Sequence, residues 1–134
     1  MCVFCDIANK KIPSYVIYEN DDVLSFLDIS QATFGHTLVV PKKHIDNIFS
    51  MDEKTLSSVG NAVIKTTKIL KEKLNGLADN MNIINNAGEK AGQTVMHFHI
   101  HLIPRYDNDN VKLDIPVHDF NKEKLEEVWN KITK

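Results

Sequence analysis

The chain has 134 residues, 43% of them hydrophobic and 25% charged, and a formal net charge of −2 when its six histidines are neutral. This length and composition fit one globular domain over residues 1–134, and the near-neutral charge excludes a global basic field that would grip nucleic acid, so any phosphate contact is local. The first twenty residues carry Asp6, Lys10, Lys11 and Glu19 with no sustained apolar run, and no segment is apolar enough to span a bilayer. A cytoplasmic protein with no nucleic-acid or membrane partner is therefore expected.

Cys2 and Cys5, the only cysteines, are spaced C-x-x-C, which suits a metal knuckle or a redox pair better than a structural disulfide. Phe4 to Lys11 is expected to form one or two helical turns before Pro13 stops them. Tyr15 to Glu19 and Val23 to Asp28 read as a β-hairpin about the turn-forming Asn20-Asp21-Asp22. Thr37 to Val40 is a third strand, closed by Pro41. Ser50-Met51-Asp52-Glu53 has a capping-box pattern and opens a long helix, with Leu56, Val59, Val63, Leu70 and Leu74 at helical spacing and Gly76 at its end. That apolar stripe serves either the core or a dimer face. Met81 to Asn85 reads as another strand, Ala87 to Gln93 as a glycine-bearing loop and Met96 to Pro104 as the last strand. Lys122 to Ile132 forms a final helix with Leu125, Val128, Trp129 and Ile132 on one side. Consecutive strands followed by helices, rather than strict alternation, predict an α+β domain: an antiparallel sheet covered on one face, with one long helix and a C-terminal helix.

The last strand carries the chemistry. His97, His99 and His101 alternate with Phe98, Ile100 and Leu102, so an extended chain sends the apolar residues to a core and the three imidazoles to the other face, about 6–7 Å apart. Imidazoles crowded together repel when charged, so such a cluster calls for a chemical reason. A neutral imidazole can attack phosphorus and form a phospho-histidine that hydrolyses readily. The nucleophile then needs a group fixing its tautomer, donors for the phosphoryl oxygens and an acid for the leaving group. The loop Asn86 to Thr94 offers glycine amides, a carboxamide and a hydroxyl for a phosphate. Competing readings are a histidine-rich exposed sheet face, and a three-histidine catalytic metal site, which would need an open coordination position and supporting carboxylates. Lys42 and Lys43 read as solvated charge, and His118 has no assignment.

His97-Phe98-His99-Ile100-His101-Leu102-Ile103 matches the His-φ-His-φ-His-φ-φ signature of the histidine triad (HIT) superfamily, and Gly35 to His44 resembles its second characteristic block. Phe4, Ile7, Phe26 to Ile29 and Asn86 to Thr94 fall where the nucleotide-binding Hint branch has its pocket, so the resemblance covers about residues 4–104 and leaves 105–134 as a C-terminal extension. It implies that His99 is the nucleophile forming a covalent nucleotidyl intermediate at the α-phosphorus. His101 would contact the phosphate and help protonate the leaving group, His36 would belong to the hydrogen-bond network orienting the triad, and His97 would support it. Asp28 resembles the carboxylate that accepts both ribose hydroxyls. Phe4, Ile7, Phe26, Leu27 and Ile29 would form an apolar base slot, while Asn86, Gly92, Gln93 and Thr94 would serve the phosphate or leaving group. The resemblance also implies two-fold pairing into a ten-stranded sheet in a homodimer.

The N-terminal cysteines resemble those of several bacterial relatives and of the galactose-1-phosphate uridylyltransferases, which carry a zinc near this position. By that resemblance Cys2, Cys5, His44 and His97 are the ligands of a closed, structural zinc site, and no catalytic metal is required. The function implied is hydrolysis of nucleoside phosphoramidates or dinucleoside polyphosphates, with a purine nucleotide as substrate. A nucleotide-binding protein acting through protein partners, and a nucleotidyl transferase, are the alternatives.

Overall fold

The computed structural model describes residues 2–134. Five strands, β1 (Val16–Glu19), β2 (Val23–Leu27), β3 (Thr37–Pro41), β4 (Asn80–Asn85) and β5 (Ile100–Arg105), form one antiparallel sheet in the order β1-β2-β3-β5-β4. Three helices accompany them: α1 (Val3–Ala8), α2 (Glu53–Lys73) and α3 (Lys122–Thr133). The hairpin forms where the turn cluster placed it, with the Asn20 side chain accepting from the amides of Asp22 and Val23.

The central strands are apolar on both sides, and this decides how the sheet is covered. Val23 and Val39 pack with Val59, Ala62 and Leu70 of α2, while Leu24, Phe26, Leu38 and Val40 pack with Phe4 and Ile7 of α1. The expectation of a sheet covered on one face is corrected accordingly: α2 covers one face and the short α1 covers the middle of the other. Val23, Leu24, Val39, Val40, Val59 and Leu102 are fully excluded from solvent, each contributing about 1.5–3 kcal/mol by transfer from water. A polar pair lies within this layer, Ser25 Oγ against Thr66 Oγ1 at 2.7 Å, each hydroxyl answering the other.

Two boundaries differ from the sequence reading. Ser50 does not cap α2; it closes a 3₁₀ turn, Ile48–Ser50, and the cap is Asp52, whose carboxylate accepts from the Thr55 amide at 2.8 Å. An ionised carboxylate answers the helix dipole as well as the free amide, which favours Asp52 over a serine two residues earlier. The last strand begins at Ile100 rather than Met96. The Phe98 amide donates to the Ile45 carbonyl at 2.6 Å instead of joining the ladder. The alternation survives nevertheless, because Phe98 and Leu102 enter the α2 core whereas His97 and His99 lie edge-on to Phe4.

Beyond β5 the chain is held as far as Val111, with Tyr106 Oη accepting from the Phe34 amide at 3.1 Å, and residues 112–134 are exposed. Arg105 reaches Asn82, Asp109 and the Val111 carbonyl, each at 2.7 Å. The apolar side of α3, Leu125, Val128, Trp129 and Ile132, is exposed.

Candidate active site

A cavity of about 440 Å³ opens beside the histidine strand. Its apolar wall comes from the α1 side of the sheet: Phe4 and Ile7 on α1, with Phe26 and Leu27 at the end of β2. Phe4 and Phe26 meet edge to face with ring centroids 5.7 Å apart, which fixes the depth of the slot. Ile29 stands at the rim and is 87% exposed, so it offers a flap of apolar surface rather than a buried wall. Asp28, Thr94, His99 and His101 bring polar groups to the same space. Val3, Tyr15, Leu38 and Val95 also line it, and the sequence pattern gave no sign of them.

The histidines are held in defined tautomers by partners whose donor or acceptor role is fixed. A carbonyl only accepts, so the His97 carbonyl 2.7 Å from His99 Nδ1 requires the proton on Nδ1 and leaves the Nε2 lone pair of neutral His99 free. His36 is set the opposite way. The Ala32 amide donates to its Nδ1 at 3.1 Å, so neutral His36 carries its proton on Nε2, 3.0 Å from His101 Nδ1. His101 must then accept at Nδ1, which leaves N–H on its own Nε2. His101 on β5 and His99 just before it thus bring an N–H nitrogen and a lone-pair nitrogen to the same cavity, on rings 4.9 Å apart.

Electrostatics keeps this second pair uncharged. Burial, followed by the nearby His99 and His36, pushes the pKa of His101 down to about 4 against the weaker pull of Asp28. Burial also lowers that of His36, partly offset by Asp28 and the Ser30 backbone. Asp28 sits between the ring network and the loop: one oxygen accepts from the Ser30 amide at 2.8 Å and the other lies 3.7 Å from His36 Nε2.

The glycine-bearing loop is folded mainly on itself. Gly88 donates to the Gln93 carboxamide and Gly92 to the Glu89 carbonyl, so both glycine amides are already engaged. Gln93 is buried, and its Nε2 donates to the carbonyls of Asp46 and Val95. Gly92 adopts φ +96°, and a Cβ there would meet Asn86 Nδ2 at 3.4 Å, so Asn86 and Gly92 pack against each other. Thr94 is the member of this set that faces the cavity.

His97 turns the other way. Its Nε2 donates to the Pro41 carbonyl at 2.8 Å, leaving the Nδ1 lone pair 3.4 Å from Cys2 Sγ and 3.5 Å from Cys5 Sγ. His44 repeats the arrangement, with Nε2 donating to Asp46 at 2.8 Å and Nδ1 3.2 Å from Cys5 Sγ. The four ligand atoms of Cys2, Cys5, His44 and His97 lie within 4.8 Å of one another. Burial, and then Cys2, raise the pKa of Cys5, a penalty that a cation would relieve. Two sulfurs and two oriented imidazole lone pairs, with a carboxylate and a carbonyl behind the rings, fit a tetrahedral zinc. Asp46 was missed in the sequence, although its place two residues after His44 is a readable signal for a supporting carboxylate. The three strand histidines do not form one ligand set among the described residues; the second converging group is Asp28, His36 and His101. Lys42 and Lys43 are engaged with Glu19 and Asp52.

An α+β sheet with a histidine-rich strand set against a nucleotide-sized apolar slot defines a class, and comparison with known proteins gives its name. The HIT domain family matches residues 9–108, and the chain belongs to that family. It is 40% identical to Protein hit of Bacillus subtilis over 136 aligned positions, covering 99% of this chain and 92% of that one. A crystal structure of a HIT family member from Bacillus subtilis superposes with a TM-score of 0.89 at 40% identity, over 98% of this chain and 94% of the other. Adenosine 5'-monophosphoramidase HNT1 of Candida albicans is 37% identical over 108 positions, 79% of this chain and 71% of the relative.

Proposed function

We propose that the protein is a nucleotide hydrolase acting at the α-phosphorus of nucleoside phosphoramidates or dinucleoside polyphosphates through a covalent nucleotidyl-His99 intermediate. The observation that carries this reading is the opposed tautomers of His99 and His101 on one cavity wall. The name of the Candida albicans relative supports a P–N substrate.

In this mechanism the purine enters between Phe4, Ile7, Phe26 and Leu27, with Ile29 at the rim and the Asp28 carboxylate accepting from the ribose hydroxyls. Thr94 serves the phosphate, and Asn86, Gly92 and Gln93 hold the shape of its loop. The Nε2 lone pair of His99 forms a bond to phosphorus as the bond to the leaving atom breaks. That atom keeps the electron pair, the His101 Nε2–H stabilises the charge growing on it by a hydrogen bond, and it takes a proton from solvent as it departs. Water then attacks phosphorus, the bond from phosphorus to His99 Nε2 breaks, and a nucleoside monophosphate, a proton to solvent and neutral His99 are released. His36 holds the tautomer of His101, while His97 holds that of His99 through its carbonyl.

Cys2, Cys5, His44 and His97 would hold a zinc that supplies a structural cross-link and leaves the reaction to the imidazoles. Residues 1–134 act as one unit, with 105–134 as an extension. A homodimer is favoured by the free edge of β4, where Ile83 is 57% exposed. No helix among the described residues is long and apolar enough to cross a membrane, which is compatible with a cytoplasmic setting. His99→Ala should lose turnover by several orders of magnitude while still binding AMP; a variant near the wild-type rate would refute the assignment. A second reading, recognition of a protein partner, is favoured by the exposed apolar side of α3. It predicts a pull-down that is lost on altering α3 and is indifferent to His99.

A further inference from the structure

Gln31 uses all of its hydrogen-bonding capacity inside one loop. Its Nε2 donates to the carbonyls of Asp28 and His36, the latter at 2.7 Å, while its Oε1 accepts from the amides of Gly35 at 2.8 Å and His36 at 3.1 Å. Two donors and two acceptor lone pairs are what a carboxamide has. The residue is exposed, so nothing in core packing calls for this arrangement. The ends it spans, Asp28 and His36, are also tied by one backbone bond, the Asp28 amide donating to the His36 carbonyl at 3.0 Å, but it is Gln31 that adjoins Ala32, whose amide sets the His36 tautomer.

We infer that Gln31 is a positioning residue for the leaving-group side of the reaction, fixing the tautomers of His36 and His101 through the loop it clamps; this rests on the hydrolase reading above. Without the carboxamide the backbone bond still closes the ends of the loop, but the stretch carrying Ala32 loses its anchor to them, the Ala32 amide is no longer fixed on His36 Nδ1, and His36 is free to place its proton on either nitrogen. When the proton moves to Nδ1, His36 Nε2 no longer donates to His101, and His101 is free to turn a lone pair toward the leaving atom. A developing negative charge then meets a lone pair in place of an N–H. Attack by His99 is unaffected, because its tautomer is set separately by the His97 carbonyl.

The consequence is selectivity for difficult leaving groups. A departing alkylamine depends on the His101 N–H, whereas a nitrophenolate, stable as an anion, depends on it little. In Gln31→Met, kcat for an adenosine 5'-alkylphosphoramidate should fall about 100-fold, and that for adenosine 5'-p-nitrophenyl phosphate by less than about tenfold, as for loss of one preorganised donor. KM for both should rise through Asp28. Gln31→Glu keeps the acceptors but loses both donors, and should show the same pattern. Nitrogen-15 shifts of the imidazoles provide a readout independent of turnover: His36 protonated on Nε2 in the wild type and mixed between both nitrogens in the variants. Equal losses on the two substrates, or unchanged tautomers, would overturn the inference. Failure of the wild type to consume either substrate would instead strike the hydrolase reading, and the nitrogen shifts would still test the clamp.

Discussion

His97 and His99 are joined by one contact that links the two polar centres of the protein: the His97 carbonyl lies 2.7 Å from His99 Nδ1, while the His97 ring faces Cys2 and Cys5. The same residue therefore points its side chain at the sulfur cluster and its backbone at the proposed nucleophile. In the proposed reaction the cluster would thereby support catalysis, by holding in place the carbonyl that keeps the proton on His99 Nδ1.

Removing that support has a measurable consequence. Wild-type protein purified without chelator should carry about one zinc per chain, and Cys5→Ser should carry little. The variant should melt at a lower temperature, because the cross-link between α1 and the segment leading into β5 is lost. Elemental analysis and calorimetry on the same samples check both; a zinc-free wild type with an unchanged melting point would refute the structural role.

The ribose contact is tested by pairing a variant with an altered ligand. Hydrogen bonds to a charged acceptor are worth about 1.5–3 kcal/mol, so Asp28→Ala should weaken AMP binding by about 10- to 150-fold. The 2',3'-dideoxy analogue should bind wild type and variant alike. Calorimetric titration of the four combinations measures the coupling, and independent losses would remove Asp28 from the ribose.

Acid should destabilise the fold through the buried histidines. The pKa of His101 is lowered to about 4 and that of His36 is lowered too, so between their ordinary value and those lowered values the unfolded chain binds more protons than the folded one. Stability is thus fully present above about pH 6.5 and is lost as pH falls toward 4. The His101 share is about 3 kcal/mol across that window by linkage. Urea midpoints at pH 7.5 and 4.5 should diverge more for wild type than for His101→Gln; equal shifts would contradict the assignment.

What the sequence made legible was governed by local periodicity. The alternation of His97 to Leu102 told which side chains enter the core, whereas the C-x-x-C spacing suggested a metal knuckle but not its other ligands; His44 and His97 came from the resemblance to zinc-bearing relatives, and only the fold brings the four together. The start of β5 was not legible, because it depends on the Phe98 amide finding Ile45, far away in sequence. The cap at Asp52 was hidden by a competing serine pattern, and only the 3₁₀ turn before it decides between them. Glycines at 88 and 92 suggested free amides, yet the buried Gln93 side chain and the tight turn engage them. Gln31 was invisible for a similar reason: four partners within a nine-residue loop leave no mark in hydrophobic pattern or motif.

The most direct test is intact-protein mass spectrometry within milliseconds of mixing with an adenosine 5'-phosphoramidate. The wild type should gain one adenylyl group transiently, with the adduct mapping to His99, and His99→Ala should gain none. Substrate consumed by the wild type without an adduct, or an adduct that persists in His99→Ala, would contradict covalent catalysis at His99.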